Sequence, residues 1–291
     1  MKKILWIPVL LLITFVGDRI GGWVLQQVTE RSQFRYTRLY TEQAEADILL
    51  VGNSRGLMFY QPHIEEITGK STTNLCYNGM PINVARVLVE DYFDHYAAPE
   101  RLILDVTMCD RLNNSLMAGF NMYTPYSERM EKLLLDTIPK VGYAGKLSHL
   151  YRYNSEVFQR TLAYLKGSDE TWTNDRVMND FLVADAANLE PYSITFLPTF
   201  ANDLKAIRAL CQSKGTQVHF VVNPYYPAFA QTISNLDSIK QVIQTQTGVE
   251  VKDYSLFLDN RTDFSDYQHT NTQGSKKYLN QLQRDHILPK K

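Results

Sequence analysis

A short apolar run, Ala46-Asp47-Ile48-Leu49-Leu50-Val51-Gly52, leads directly into Asn53-Ser54-Arg55. Aliphatic residues in a run of this length, ended by glycine, predict a buried β-strand followed by a turn. Similar runs recur along the chain and alternate with helix-like segments. This alternation predicts an α/β fold with a parallel sheet and helices on both faces, in which ligands bind beyond the carboxyl ends of the strands.

The runs predict five strands, over residues 46–52, 72–77, 101–106, 218–222 and 249–253. Helices are predicted over residues 63–68, 82–96, 201–214, 229–247 and 273–284. The alternation breaks between about residues 111 and 199, in a stretch dense in Tyr, Phe and Trp that we interpret as a mostly helical insertion. Its aromatic side chains could form a substrate platform at the strand ends or the insertion's own small core, and the core is the commoner use of such residues.

The N-terminus has the pattern of a membrane signal anchor. Lys2-Lys3 precedes an apolar run from Ile4 to Val16, and a second run, Ile20 to Leu25, follows Gly17-Asp18-Arg19. We predict an anchor over residues 1–25, a helical stalk over 26–45 and one α/β domain over 46–291. The leading lysines favour an extracytoplasmic domain, at a bacterial periplasm or cell surface. A cleaved signal peptide and a buried cytosolic helix are the alternatives.

Composition excludes several classes of function. The 291 residues carry a formal net charge of -1 and no basic run, so nucleic acid is not an expected partner. The three cysteines, Cys76, Cys109 and Cys211, are predicted to be buried free thiols. Neither a CxxC motif nor a His/Cys ligand cluster occurs, and no Gly-rich phosphate loop supports a nucleotide-binding domain. We therefore expect neither a metal nor a cofactor.

Two distant stretches carry the residue types of nucleophilic catalysis. Ser54 follows the first predicted strand, and Asp266-Tyr267-Gln268-His269 lies near the C-terminus. An Asp three residues before a His can hold the imidazole in one tautomer, and that imidazole can accept the proton of a serine hydroxyl. Alone, Ser54 would also suit a helix N-cap and His269 a surface loop. Together, Ser54, His269 and Asp266 are predicted as a catalytic triad.

The oxyanion of an ester reaction needs N–H donors near the nucleophile. The backbone N–H of Ser54 is one candidate. Gly79, after the second predicted strand, is another because glycine allows the backbone to approach a substrate closely. An Asn78-Gly79 pair would also suit an ordinary turn.

These blocks together resemble the SGNH (GDSL-like) hydrolase superfamily. Gly52-Asn53-Ser54-Arg55 is similar to its first block, Asn78-Gly79 to its second, and Asp266 to His269 to its fifth, over about residues 47–287 without the insertion. The resemblance implies a flavodoxin-like three-layer α/β/α sandwich. The layout also resembles membrane-anchored members encoded with surface-polysaccharide acylation systems, and the D-alanine transfer proteins of teichoic acids. It therefore implies an esterase or O-acyltransferase acting on a cell-envelope polysaccharide or similar acylated polymer, with a membrane acyltransferase as a potential partner.

The third block departs from the superfamily pattern. Where Gly-x-Asn-Asp is usual, this chain reads Asp105-Val106-Thr107-Met108-Cys109-Asp110-Arg111. Without the Asn donor the rate would fall by roughly 10²–10³, unless Thr107, Asn113 or Asn114 replaces it. Arg55 and Asn223 are predicted to contact substrate. The departure keeps open a second hypothesis, a catalytically inactive envelope protein that binds acylated polymer or assists a membrane acyltransferase.

Overall fold

The computed structural model describes residues 6–291. Its contacts divide the chain into two compact units. The helical unit contains the described residues up to 43 together with residues 114–169, and the sheet unit contains residues 44–113 and 170–291.

The strands all belong to the sheet unit and form one parallel sheet. In the described residues they are β1 (Ile48–Val51), β2 (Thr72–Asn74), β3 (Arg101–Asp105), β4 (Gln217–Val222) and β5 (Val251–Asp253). Their order is β2-β1-β3-β4-β5, which is the flavodoxin-like order with its switch point between β1 and β3. The predicted strands and fold class are confirmed, with boundaries moved by a few residues.

Helices precede, connect and follow these strands. In chain order they are α1 (Trp6–Thr29), α2 (Arg35–Tyr40), α3 (Gln61–Thr68), α4 (Ile82–His95), α5 (Asn114–Gly119), α6 (Glu128–Thr137), α7 (Pro139–Leu147), α8 (Glu156–Ala163), α9 (Asp180–Asp185), α10 (Pro198–Lys214), α11 (Pro227–Ala230), α12 (Leu236–Thr247) and α13 (Thr272–Arg284). Short 3-10 turns lie at Ser54–Met58, Val106–Asp110, Phe120–Tyr123, Leu150–Tyr153, Ala186–Asn188 and Arg261–Asp263.

Two helix layers cover the sheet. On one face α3 packs with α13, and on the other α10 packs with both α4 and α12. Ile48 and Leu50 alternate along β1 and join Ile64 of α3 and Leu279 of α13 in one buried cluster, as the two-residue period of a strand requires. The sheet unit is therefore the predicted three-layer α/β/α sandwich.

One predicted helix is wrong. The segment 229–247 contains the end of α11 and the whole of α12, separated by a non-helical stretch. The reason is a tertiary pairing that leaves residues 232–234 out of the helix. Tyr192 donates its N–H to the Thr232 carbonyl at 2.9 Å, and Ser234 donates its N–H to the Tyr192 carbonyl at 2.9 Å. This pairing reaches across some 40 residues of sequence, so the helical pattern of residues 229–247 does not reveal it.

Aromatic side chains form the core of the helical unit. Tyr36, Phe120 and Tyr123 are buried and pack on one another with ring centroids 4.9 to 6.3 Å apart. Of the region predicted as an insertion, residues 114–169 thus supply a core, while residues 170–199 belong to the sheet unit. The segment predicted as a stalk contributes α2, whose six residues are all buried.

Helix α1 is continuous through Gly17-Asp18-Arg19, where the sequence indicated an interruption. By length and apolar composition it could cross a membrane, although a signal sequence would satisfy the same criteria. Large apolar side chains along it are exposed, including Trp6, Leu11 and Trp23. The three cysteines are buried free thiols, as predicted.

Candidate active site

Ser54 lies at the carboxyl end of β1, in a turn that Asn53 organises. The Asn53 side chain accepts the Arg55 N–H at 3.0 Å, and the Asn53 carbonyl accepts the Gly56 N–H at 3.1 Å. A cap of this kind begins a helical turn, here the 3-10 turn Ser54–Met58. The two capped N–H groups are occupied, which leaves the Ser54 N–H as the predicted oxyanion donor of this turn.

Ser54, His269 and Asp266 form one continuous chain of hydrogen bonds. The Ser54 Oγ lies 2.8 Å from His269 Nε2, across 215 residues of sequence. On the other side of the ring, His269 Nδ1 lies 2.9 Å from both carboxylate oxygens of Asp266. With the ring proton on Nδ1, Nε2 can accept the serine proton. This is the geometry that activates a serine hydroxyl.

The loop that carries His269 is fixed at both ends. The His269 carbonyl accepts the Ser265 N–H at 2.9 Å. Two residues later, the Asn271 side chain accepts the Gly274 N–H at 3.0 Å and so caps α13. A Cβ at Gly274 would come within 2.1 Å of the Asp263 carbonyl oxygen, so only glycine fits there. Asn271 and Gly274 therefore fix this loop and the start of α13.

Asp266 is held as a carboxylate. Burial raises its pKa, but hydrogen bonds and charge attraction from His269 and backbone N–H groups outweigh burial, so the pKa of Asp266 lies below its usual value. Its Oδ1 accepts the N–H groups of Gln268 at 2.8 Å and His269 at 3.0 Å. These bonds orient the carboxylate toward the imidazole.

Gly79 lines the same cleft as Ser54, which we call the Ser54 cleft. Its φ of 63° lies in the left-handed region that favours glycine. Asn113, one of the residues predicted to replace the missing third-block donor, gives its side-chain N–H to the Gly79 carbonyl at 3.0 Å. Asn113 therefore holds the Gly79 turn in place.

Thr107, another of the predicted replacements, also lines the Ser54 cleft. Its hydroxyl donates to Asp105 Oδ1 at 2.7 Å and accepts from the Arg55 guanidinium at 2.8 Å. A hydroxyl has one proton to donate, and here that proton goes to Asp105. In this arrangement Thr107 has no proton left for an oxyanion.

Arg55 joins three strand ends beneath Ser54. Besides Thr107 after β3, its buried guanidinium bonds to the carbonyls of Asn223 and Pro224 after β4. It also lies 3.4 Å above the centre of the Tyr225 ring, a cation–π contact. The Asn223 side chain in turn accepts the Tyr278 hydroxyl at 2.8 Å. Both residues predicted to contact substrate thus bond to protein atoms, which favours a supporting role.

Several residues of the Ser54 cleft were missed by the sequence analysis. They are Tyr192 and Ile194, from the non-helical segment before α10, together with Arg111, Tyr225 and Gln268. Asn235 holds that segment by accepting the Ile194 N–H at 2.9 Å and donating to the Ile194 carbonyl at 2.8 Å. Gln268 and Arg111 lie within the quoted motifs, so their position in the sequence was a usable signal. No signal in the sequence pointed to Tyr192 and Ile194.

The lining of the Ser54 cleft is mainly polar. Arg111 pairs with Asp110 through its Nε at 2.8 Å, and this hydrogen bond raises the pKa of Arg111. Burial raises the pKa of Tyr225 to about 12, so its hydroxyl stays neutral. In residues 6–291 no group of three or more His, Cys, Asp or Glu side chains could hold a metal ion. The reactive groups that face one another at this site are the Ser54 hydroxyl, the His269 imidazole and the Asp266 carboxylate.

Comparisons with known proteins gave similarity at the level of solved structures. No family model matches the chain, and no curated protein matches it. One similar solved structure is a Bacteroides fragilis protein with a provisional assignment as an acylhydrolase; it has 10% identity, a TM-score of 0.43, and coverage of 85% of this chain and 89% of that chain. Another is a Streptococcus pneumoniae protein provisionally described as a platelet activating factor, with 13% identity, a TM-score of 0.41, and coverage of 97% of this chain and 98% of that chain.

Proposed function

We propose that this protein is a serine-dependent acyl-ester hydrolase or O-acyltransferase. The observation that carries the proposal is the unbroken hydrogen-bond chain from Ser54 Oγ through His269 to Asp266. Two distant parts of the chain meet with the distances that proton transfer needs, at the carboxyl ends of parallel strands, where such folds bind ligands.

In the proposed mechanism, Ser54 Oγ attacks the ester carbonyl while His269 Nε2 takes the hydroxyl proton. The C–O bond to the alcohol then breaks, and His269 returns the proton to the leaving oxygen. Asp266 stabilises the imidazolium throughout. The acyl group remains on Ser54 as an ester until water, or a sugar hydroxyl in the transferase reaction, attacks it with His269 again as base. The N–H groups of Ser54 and Gly79 hold the oxyanion.

The lining of the Ser54 cleft supports a polar substrate. Asp110, Arg111, Thr107 and Gln268 offer hydrogen-bonding groups around Ser54, and Ile194 is an aliphatic exception. A long acyl chain would bury apolar surface, for which such a lining has little to offer. We therefore propose a short acyl group carried by a hydroxylated polymer, in keeping with the polysaccharide substrate that the sequence resemblance implies.

We further propose that α1 anchors the protein in a membrane, with the sheet unit on the extracytoplasmic side. Supporting observations are the exposed apolar side chains of α1 and the lysines at positions 2 and 3. An anchor of this kind would bring the site near envelope polymers and near a membrane acyltransferase that could act as donor partner.

A fluorophosphonate probe tests the proposal, because it reacts covalently with an activated serine. We expect wild-type protein and a Ser213→Ala control to be labelled at Ser54, since Ser213 is an exposed helical serine of the same unit. The Ser54→Ala variant should remain folded and unlabelled. Equal labelling of wild type and Ser54→Ala, or absence of labelling in folded wild type, contradicts the proposal.

One observation favours the alternative of a binding protein without turnover. Thr107 gives its hydroxyl proton to Asp105, so in this arrangement it does not replace the side-chain donor of the superfamily's third block. An inactive protein would retain the Ser54 cleft and bind acylated polymer there. Polymer binding by folded protein that resists the probe supports this alternative.

A further inference from the structure

The apolar run at the start of α1 is short for a membrane span. From Trp6 to Val16 helix α1 rises only about 16 Å, whereas the hydrocarbon core of a bilayer is about 30 Å thick. Lys2 and Lys3 allow the run to start no earlier than Ile4. If α1 spans the membrane, either the bilayer is thinner around it or the hydrocarbon core extends past Asp18.

The next turns of α1 favour the second solution. Ile20 and Trp23 are 58% and 61% exposed, and Val24 is also exposed. From Trp6 to Val24 the helix rises about 28 Å, which matches the hydrocarbon thickness. Trp6 and Trp23 then lie near the two ends of this length, where tryptophan is enriched in membrane proteins.

At the depth of these turns, the other side of α1 is packed against its own unit. A Cβ at Gly22 would lie 2.3 Å from the His149 Cβ, and one at Gly21 would lie 2.9 Å from the Leu150 side chain. The segment 148–150 therefore sits directly on the backbone of α1. If the bilayer reaches Val24, it must also meet this segment.

The charges at this depth are satisfied within the helical unit. Asp18 accepts hydrogen bonds from the Ser148 hydroxyl and from the N–H groups of His149 at 2.8 Å and Leu150 at 3.2 Å. Arg19 pairs with Asp18 at 3.4 Å and donates to the Leu147 carbonyl at 3.2 Å. Pairing of this kind lowers the cost of placing charges at a membrane boundary.

Helix α7, which ends at this point, has two different faces. Gly142 and Gly145 are buried against the unit, while Lys140, Tyr143 and Leu147 follow one another at helical spacing on the exposed side. Tyr143 is 64% and Leu147 80% exposed. An exposed face of leucine, tyrosine and lysine is typical of helices that lie in a membrane interface, where lysine stems are buried and lysine amines reach the headgroups.

We propose that the exposed face of α7 and the segment 148–150 form a second membrane contact, inserted at the boundary between headgroups and hydrocarbon in the bilayer that α1 spans. This inference rests on the proposed anchoring by α1. A lipid surface fits better than a protein partner, because lysine is depleted from protein interfaces and enriched at membrane interfaces. Lys140 and Lys146 would favour anionic phospholipids, although Lys146 also pairs with Glu131.

Site-directed fluorescence on the full chain tests this contact. The native cysteines are buried, so a polarity-sensitive probe can be attached to single introduced cysteines, in protein reconstituted into vesicles of phosphatidylcholine and phosphatidylglycerol. Val9→Cys reports on α1, and Leu147→Cys reports on the proposed contact. Lys166→Cys is the control, because Lys166 is exposed and lies beyond the C-terminal end of α1. Two residues before it, the Tyr164 carbonyl accepts the N–H of Gln33, which follows α1.

Lipids brominated near the glycerol ester serve as quenchers for the probe. Interfacial helices insert their apolar face ~5–10 Å into the headgroup boundary, so the Leu147 probe should lose about half or more of its fluorescence, while the Lys166 probe keeps it. Quenching at Val9 without quenching at Leu147 overturns the second contact and leaves the anchor intact. No quenching at Val9 overturns both. Equal quenching at Lys166 indicates unspecific adsorption and also overturns the contact.

Discussion

Asp266→Asn tests whether the imidazole of His269 acts as a base. Asp266 Oδ1 accepts the N–H groups of Gln268 and His269 at 2.8 and 3.0 Å, so these donors should hold the amide oxygen of an asparagine in the same place. The amide nitrogen then takes the Oδ2 position, 2.9 Å from His269 Nδ1. An N–H facing Nδ1 favours the tautomer with its proton on Nε2, which cannot accept the proton of Ser54.

The expected loss can be bounded from this geometry. In Ser-His-Asp enzymes, the same exchange lowers kcat by about 10⁴, which corresponds to about 5.5 kcal/mol of transition-state stabilisation. Here the Oδ1 position also lies 2.9 Å from Nδ1, so the amide oxygen can retain part of the original hydrogen bond. We therefore expect kcat to fall by about 10³–10⁴, with little change in KM.

Hydrolysis of a p-nitrophenyl acetate substrate measures this loss, after subtraction of the rate of Ser54→Ala. The matched control is Asp259→Asn, the same exchange at an exposed position of the same unit, and it should leave kcat unchanged. Both variants should unfold within about 2 °C of wild type, because neither removes buried packing. A loss below tenfold for folded Asp266→Asn would refute the role assigned to Asp266.

Three further substitutions probe the surroundings of the site and the sheet. Thr107→Val leaves buried Asp105 and Arg55 without their shared hydroxyl. Urea unfolding should show a free energy of unfolding lower by about 2–4 kcal/mol, with kcat reduced less than about tenfold. A large loss of kcat at normal stability would instead identify Thr107 as an oxyanion donor. Gly79→Ala adds a Cβ at a φ of 63° and 2.7 Å from Asn113 Nδ2, so it should cost about 1–3 kcal/mol in unfolding free energy and lower kcat; unchanged values would show that this turn is not constrained. Burial, with a smaller contribution from Arg101, lowers the pKa of His219 to about 4, below its usual 6.5. Between pH 4 and pH 6.5, His219 is therefore protonated in the unfolded chain and neutral in the folded chain. The free energy of unfolding should fall as the pH drops from 6.5 toward 4, less steeply in His219→Gln. Equal urea midpoints at about pH 7 and about pH 5 in wild type would contradict this.

The sheet could be predicted because its strands are short apolar runs with clear ends. The parallel arrangement follows from the alternation with helices, and it brings Ser54 and the loop after β5 to one edge. The hydrogen bond between Ser54 and His269 spans 215 residues of sequence. Neither motif alone predicted this pair, and the prediction came from their combination at the strand ends of one sheet. Both halves of this pair sit in local turns that their own neighbours specify, Asn53 for one and Asp266 for the other.

The remaining wall of the Ser54 cleft could not be predicted in the same way. Tyr192 and Ile194 lie in an irregular segment, where neither a two-residue nor a helical period exists. Their position depends on backbone hydrogen bonds to residues 232–234 and on the Asn235 side chain. The same bonds interrupt the helix predicted over 229–247. One tertiary pairing thus explains both the broken helix and the missed part of the cleft.

The buried charges next to Ser54 are better explained by positioning than by stability. The Arg55 guanidinium nitrogen Nη1 lies 3.9 Å from Asp105 Oδ2, and both side chains are buried. Within residues 6–291, Arg55 Nε and Asp105 Oδ2 have no hydrogen-bond partner. Incompletely bonded buried ion pairs contribute little net stability, and apolar residues of similar volume often replace them without loss. Arg55 directly follows Ser54, and its guanidinium bonds to Thr107 and to the Asn223 carbonyl, which holds the chain in place next to Ser54. A fixed nucleophile needs this kind of support, because a small displacement of the reacting groups lowers the rate steeply.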